Sequence, residues 1–239
     1  MPTRGVPYSS KQRARTQARL ARWLWPRYVE EVQRANLYAL SRAWARKNSH
    51  QPRFGTREAL YRFLVADSLA AGPIDYLEFG VYKGGSIRTW ATLNTDRESR
   101  FWGFDSFRGL PEAWGTAGEF PAGSFDANGT APDVDDARVH FVTGWFQDTV
   151  PGFLEGFRTA HPLVVHVDAD LYTSTLFCLA QVDRLLRPGS TLVIDDFGNV
   201  DEFGAFRDYA RAFRREFRTL GLVVMPDEGP DVTAAAFRL

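Results

Sequence analysis

Hydrophobic positions divide the chain into two regimes. Between residues 11 and 45, Leu20, Leu24, Tyr28, Val32 and Ala35 recur every three or four residues, the spacing of one helix face, and Pro26 is expected to break or kink that helix. A loop over residues 49–55 leads to a second helix whose apolar face is Leu60, Phe63, Leu64 and Leu69, stopped by Ala71-Gly72-Pro73. From Ile74 onward the period changes. Short apolar runs at residues 76–79, 100–104, 139–143, 163–167, 191–194, 220–225 and 233–238 read as strands, and helical stretches at 86–93, 149–159, 174–186 and 202–217 separate most of them. Strands alternating with helices predict an α/β fold: a seven-stranded, mostly parallel sheet covered by helices on both faces. The run Leu163, Val164, Val165, Val167 is what a doubly buried central strand looks like. The expected organisation is a helical extension over residues 1–72 and a nucleotide-binding-type domain over 73–239. Residues 107–137, rich in Gly, Pro, Asp and Ala, interrupt the rhythm and read as a loop over a site.

Composition changes this picture in two places. Net charge over the 239 residues is zero, which argues against a dedicated nucleic-acid binder. Yet residues 1–48 carry eleven Lys or Arg against Glu30 and Glu31, so a +9 arm precedes a −9 body. Such an arm is expected to lie on acidic surface of its own chain or a neighbour; the alternative is an anionic partner such as RNA or a membrane surface. Cys178 is the single cysteine, which excludes an internal disulfide and a cysteine-based zinc site and reads as a small buried residue. No apolar run approaches the ~20 residues of a membrane span, and arginines interrupt every short apolar stretch up to Leu24, so neither a span nor a signal peptide is expected and the cytoplasm is the default location.

Chemistry concentrates at the predicted strand ends. Glu78-Phe79-Gly80-Val81-Tyr82-Lys83-Gly84-Gly85-Ser86 joins a strand to a helix; its glycines permit a tight turn and close approach to a ligand, and the free N–H groups of the helix start suit a carboxylate or phosphate. The Gly80-x-x-x-Gly84 spacing is neither the dinucleotide fingerprint nor a P-loop. Asp105, ending the next strand in GFDSF, is placed to accept hydrogen bonds from two ribose hydroxyls, or else to cap its own turn. Asp168 and Asp170 follow one strand, and Asp195 and Asp196 end the next. A parallel sheet delivers both clusters to one edge, where crowded carboxylates repel and a hard cation such as Mg²⁺ relieves the conflict. Helix caps are the alternative use of these acids. Gly144, Trp145 and Phe146 end another strand, where the aromatics could flank a purine, and His166 reads as a core histidine before it reads as a base.

In order, the stretches EFGVYKGGS, GFDSFRGLP, VTGWFQDTVP, HVDADLYTST and LRPGSTLVIDDF resemble the macrocin O-methyltransferase-like (TylF/MycF) family of class I methyltransferases. The resemblance runs from about residue 76 to 217. It implies a Rossmann-like fold with one antiparallel strand in the last pair, and S-adenosylmethionine held over residues 78–86. The cofactor contacts it implies fall on Glu78, Gly80, Tyr82, Gly84, Ser86, Asp105 with Ser106 at the ribose, Gly144–Phe146 at the adenine, and Asp168. It implies Mg²⁺ on Asp168, Asp195 and Asp196, a small-molecule acceptor whose hydroxyl sits on a sugar or glycoside, and a homo-oligomer, as family members often form. Asp170, two residues beyond Asp168, is the expected general base, with His166 as the other candidate. The Arg-rich amino-terminal arm departs from the family pattern. Two other functions stay in view: methylation of RNA or protein through that arm, and a non-catalytic interaction module on the same fold.

Overall fold

Strands whose side chains are apolar on both faces must be covered on both faces, and the computed structural model follows that rule. It describes residues 26–69, 71–115, 118–224 and 232–239. The first 25 residues, which carry much of the basic arm and the start of the expected first helix, lie outside the described residues, as does Met225 of an expected strand. The chain runs α1 (Pro26–Lys47), β1 (Arg53–Phe54), α2 (Arg57–Phe63), β2 (Asp75–Phe79), α3 (Gly85–Leu93), β3 (Arg100–Asp105) and β4 (Val139–Thr143). It continues with α4 (Phe146–Gly156), β5 (Leu163–Val167), α5 (Tyr172–Val182), β6 (Thr191–Asp195), α6 (Val200–Ala212), β7 (Arg218–Val223) and β8 (Ala234–Arg238).

The strands form one sheet in the order β1-β7-β8-β6-β5-β2-β3-β4. β8 is antiparallel to both β6 and β7, and every other pair is parallel. All residues of β2, β5 and β6 are buried. Strand order reverses between β2 and β5: the chain builds outward through β3 and β4, then returns to start β5 on the other side of β2. Crevices that take ligands open at the carboxyl ends of strands at such a reversal. On one face, Leu60 and Leu64 pack with Ile87 and Trp90 of α3; on the other, Val150, Leu154, Cys178, Leu179, Phe203 and Phe206 come from α4, α5 and α6.

The sheet has eight strands where seven were expected, and the boundary expected at residue 72 falls inside the folded unit. Arg53 and Phe54 pair with Leu222 and Val223, too short a run to show as periodicity. Between α2 and β2 the helix widens into a π-helical turn over Leu64–Ser68, with the Leu69 amide donating to the Leu64 carbonyl at 3.0 Å. The described part of the arm rests on its own chain. The Trp44 ring of α1 meets Phe197 at 4.7 Å and Phe237 at 5.8 Å between centroids, and Arg34 pairs with Asp201 at 3.6 Å. Among the described residues no helix is long and apolar enough to cross a membrane.

At the opposite edge from the crevice, Asp75 is fully buried. It accepts from Arg100 Nε (2.7 Å) and from the amides of Ala160 (2.6 Å) and His161 (3.0 Å), tying β2, β3 and the loop before β5 together. Asp75→Ala leaves those donors without their acceptor and is expected to cost about 3 kcal/mol. Urea unfolding measures it; a loss under about 1 kcal/mol would mean that water replaces the carboxylate.

Candidate active site

The turn after β2 is built on a glycine that admits no side chain. Gly80 has φ +92°, and a Cβ there would lie 1.7 Å from the Asp168 carbonyl oxygen. The Asp168 amide donates to the Phe79 carbonyl (2.8 Å), so the Gly-rich turn and the first acid beyond β5 lie against each other. Here a cavity of about 790 Å³ opens at the carboxyl edge of the sheet. It is lined by the turn (Gly80, Val81, Tyr82, Gly85, Ser86), by Asp105 and Ser106, by Gly144, Trp145 and Phe146, and by Asp168, Asp170, Asp195 and Asp196. The 107–137 segment also faces it through Leu110, Pro111, Trp114, Phe120 and Phe125.

Of the residues expected to hold a cofactor, Gly80, Tyr82, Ser86, Asp105, Ser106, Gly144, Trp145, Phe146 and Asp168 line this cavity; Glu78 and Gly84 do not. Glu78 is fully buried beneath it, where its carboxylate accepts from Tyr76 Oη and from Ser86 Oγ (2.7 Å). Gly84 has φ +74° and supplies the left-handed cap that starts α3. Asp105 does cap its turn: Oδ1 accepts from the Phe107 amide (2.7 Å). Its Oδ2 accepts from the amides of Val81 and Tyr82 (2.8 Å each), so the carboxylate also pins the Gly-rich loop. Oδ1 keeps a lone pair for a further donor. His166 has no exposed surface and no place in the cavity wall. Its Nδ1 lies 2.7 Å from Tyr76 Oη, which in turn meets Glu78.

Three of the four aspartates converge, with Asp195 beside them in the cavity wall but outside the group. Carboxylate oxygens of Asp168, Asp170 and Asp196 lie within 4.8 Å of one another. Asp195 is gripped by Arg57, whose Nε reaches its Oδ1 at 2.5 Å and Oδ2 at 2.7 Å while Nη2 reaches Asp196 Oδ1 at 3.0 Å. Burial, reinforced by Asp195, Asp170 and Asp196, pushes Asp168 well above the usual carboxylate range. Burial, then Asp196, Asp195 and Asp105, pushes Asp170 up to about 7. Asp170 and Asp196 both have positive φ (58° and 42°), a backbone cost of order 1–3 kcal/mol each that their surroundings must impose.

Three residues of this site escaped the sequence reading. Arg57 and Tyr61 stand on α2, whose start is fixed by Thr56 Oγ1 accepting from the Ala59 amide at 3.1 Å, a cap visible in the sequence. The third, Glu202 of α6, has no exposed surface. Its Oε1 accepts from the amides of Ala169 (3.0 Å) and Asp170 (3.1 Å), and burial next to the aspartates raises its pKa strongly. Only the packing of α6 behind the β5 loop reveals it.

A flexible nucleoside and a hard cation both fit these residues. The Gly80 turn lies against the Asp168 backbone and lines the cavity, and the acids form an all-oxygen donor set whose mutual repulsion a divalent ion would relieve.

Residues 61–238 match the family model described as Macrocin-O-methyltransferase (TylF). Over 175 residues the chain is 32% identical to the 8-demethyl-8-(2,3-dimethoxy-alpha-L-rhamnosyl)-tetracenomycin-C 4'-O-methyltransferase of Streptomyces olivaceus, covering 65% of this chain and 64% of that one. It is 29% identical over 167 residues to the demethyldecarbamoylnovobiocin O-methyltransferase of Streptomyces niveus, covering 58% and 61%. The chain thus spans less than two thirds of the length of these curated relatives. Among solved structures, the O-methyltransferase NovP superposes with a TM-score of 0.58 at 21% identity, over 76% of this chain and 78% of that one. The apo form of CalS11, a TDP-rhamnose 3'-O-methyltransferase, gives 0.52 at 22%, over 90% and 95%. At such identities the likeness is one of fold.

A raised carboxyl pKa means that the fold prefers the protonated acid. Between the unfolded value near 4 and the folded value of about 7, the native state holds a proton that the unfolded chain releases, so stability falls as pH rises through that window. In EDTA, urea unfolding is expected to show ΔG decreasing from pH 5 to 7, and Asp170→Asn to flatten the slope by up to about 1.4 kcal/mol per pH unit. A slope unchanged in the variant would place the titration elsewhere.

Proposed function

Because this chain belongs to the TylF macrocin-O-methyltransferase family, we propose that it is an S-adenosylmethionine-dependent O-methyltransferase acting on a hydroxyl of a sugar or glycoside, with Mg²⁺ as cofactor. The observation that carries this reading is the junction of the Gly80 turn with the acid cluster, a nucleoside cradle and a cation site sharing one wall. Relatives named for methylating tetracenomycin and novobiocin derivatives support the acceptor class.

S-adenosylmethionine, when bound, supplies a methyl group on a positively charged sulfur, already activated toward an oxygen nucleophile. Mg²⁺, when bound, favours loss of an acceptor hydroxyl proton. The protein's own residues do the rest. Gly80 lets the turn lie against the Asp168 backbone at the cofactor's place, Asp105 offers the remaining lone pair of Oδ1 to a ribose hydroxyl, and Trp145 and Phe146 flank the base. Asp168, Asp195 and Asp196 would hold the metal. Asp195 Oδ2 keeps a lone pair beyond its Arg57 bond, while Oδ1 is taken by Arg57 and the Asp196 amide (3.1 Å), and Arg57 fixes the carboxylate's orientation. Asp170 takes the acceptor proton: it lies in the cavity wall beside the acids that would hold the metal. Tyr76 and Glu78 keep His166 in the core, which supports Asp170 over His166 as the base. Leu110, Pro111, Trp114, Phe120 and Phe125 of the 107–137 segment line the cavity and would limit water around a bound acceptor. With chemistry this simple at the sulfur, alignment of the hydroxyl with the methyl group is the main task.

Incubating the protein with S-adenosylmethionine labelled in its methyl group, Mg²⁺ and a panel of rhamnosides is expected to transfer label to at least one sugar hydroxyl. EDTA should stop the transfer. Asp170→Asn is expected to lower kcat by about 10²-fold or more while leaving the KM for S-adenosylmethionine near that of the wild type. Full turnover in both EDTA and the Asp170→Asn protein would overturn the metal and base assignments together.

A further inference from the structure

Three large aromatic side chains on the cavity wall stay more than a third exposed: Tyr82 (37%), Phe120 (37%) and Phe125 (38%). Tyr82 belongs to the Gly-rich turn, and the other two to the 107–137 segment. Two of them also stand on strained backbone, with φ of 51° at Tyr82 and 63° at Phe125, a region that bulky residues rarely enter. Exposed aromatic surface and left-handed backbone both work against stability, and residues that carry both mark a place where something else is gained.

The rings join into one arc. Leu171, the residue after Asp170, packs with Leu110 and Trp114. Trp114 lies 4.9 Å from Phe120 between centroids, Phe120 stacks on Phe125 at 5.3 Å with 30° between their planes, and Phe125 meets Tyr82 edge to face at 5.8 Å. The arc therefore starts at the loop of the acids and ends at the Gly-rich turn. Its inner end, Trp114, is 8% exposed, and the three rings beyond it carry the open surface. The backbone behind them is well tied. Trp114 and Phe120 exchange both amide-to-carbonyl hydrogen bonds (2.8 and 3.0 Å), and the Leu110 amide donates to the Ser124 carbonyl (2.9 Å) while its carbonyl accepts from the Gly123 amide (2.8 Å). Thr173 Oγ1 of α5 donates to Glu112 at 3.2 Å. Rings held in this way form a surface before any ligand arrives, which lowers the entropy lost on binding.

An acceptor whose hydroxyl reaches Asp170 and its neighbours has the rest of its body leading away along this arc. The acids at the inner end suit a sugar, which can donate to them from several hydroxyls. The outer rings offer apolar faces and edges, which pair best with another flat, apolar ring. We propose that the sugar of the acceptor lies at the acid end and that Phe120, Phe125 and Tyr82 form a platform for a flat aromatic aglycone. This rests on the glycoside reading above and narrows it: the preferred substrate is an aryl glycoside rather than a free sugar or an alkyl glycoside.

The test takes the sugar that accepts label in the rhamnoside panel and assays it as its methyl and its 2-naphthyl glycoside, by initial rates on the full chain with S-adenosylmethionine and Mg²⁺. Wild-type protein is expected to show a KM roughly tenfold lower for the naphthyl glycoside, the worth of one or two aromatic contacts, at a similar kcat. Phe125→Gly, which suits the left-handed backbone while removing the ring, and Phe120→Ala are each expected to raise the naphthyl KM toward the methyl one. The KM for S-adenosylmethionine reports whether the loop and the turn keep their places, and it should stay near the wild-type value in both variants. Equal KM values for the two glycosides in the wild type, or a naphthyl advantage that survives both substitutions, would overturn the platform. A rise in the KM for S-adenosylmethionine that matches the naphthyl loss would overturn it too, by assigning the rings to the cofactor. Absence of transfer to any glycoside would overturn the acceptor reading itself, whereas transfer that ignores the aglycone would overturn this inference alone.

Discussion

Negative charge gathered at one point of the sheet edge is the constraint that the rest of the site answers to. β5 and β6 run parallel, so acids placed just beyond each must emerge together, and Asp168, Asp170 and Asp196 bring their oxygens within 4.8 Å. Bare, such a group would open the crevice by repulsion. Arg57 reaches in from α2, outside the sheet, to hold Asp195 and Asp196, while burial and its acidic neighbours push the Asp168 carboxyl well above the usual carboxylate range. Folding α2 against the sheet is therefore an electrostatic act as much as an apolar one: the helix closes one wall of the cavity and brings the counter-charge.

Carboxylates also serve here as scaffolding. Asp105 accepts three backbone amides and thereby holds the Gly-rich turn to its own strand end; Glu202 accepts two and holds the β5 loop in a left-handed bend. Loops that must place ligand-binding atoms to within a fraction of an ångström cannot rely on the regular ladders that fix strands. An acid accepting several converging N–H groups supplies that rigidity locally.

Periodicity revealed the parallel sheet because its central strands are buried on both faces, and a near-continuous apolar run such as 163–167 suits hardly any environment but a doubly covered strand. The convergence of the two aspartate pairs was equally legible, since it follows from parallel strands alone. What stayed hidden depends on contacts far apart in sequence. A two-residue strand has no period, so β1 went unseen and the domain edge was drawn too late. Arg57 meets its partners 138 and 139 residues later, and the apolar stripe of α2 masked the polar face that lines the cavity. Asp105 shows the limit from another side: its position was readable, but an acid that satisfies both its own loop and an incoming ribose looks the same in sequence as one that does either.

The widened turn at Leu64–Ser68 bears on how this segment can vary among related proteins. A π-helical turn holds one residue more than the α-helical path it replaces. Each residue in a helix accounts for about 100° of rotation, so trimming that surplus would swing everything upstream a quarter-turn or more about the axis. Arg57 would then leave the rim. The spacer between this helix and the sheet is thus counted to the single residue, and an alignment that slides a gap through it would match residues that point about 100° apart around the helix.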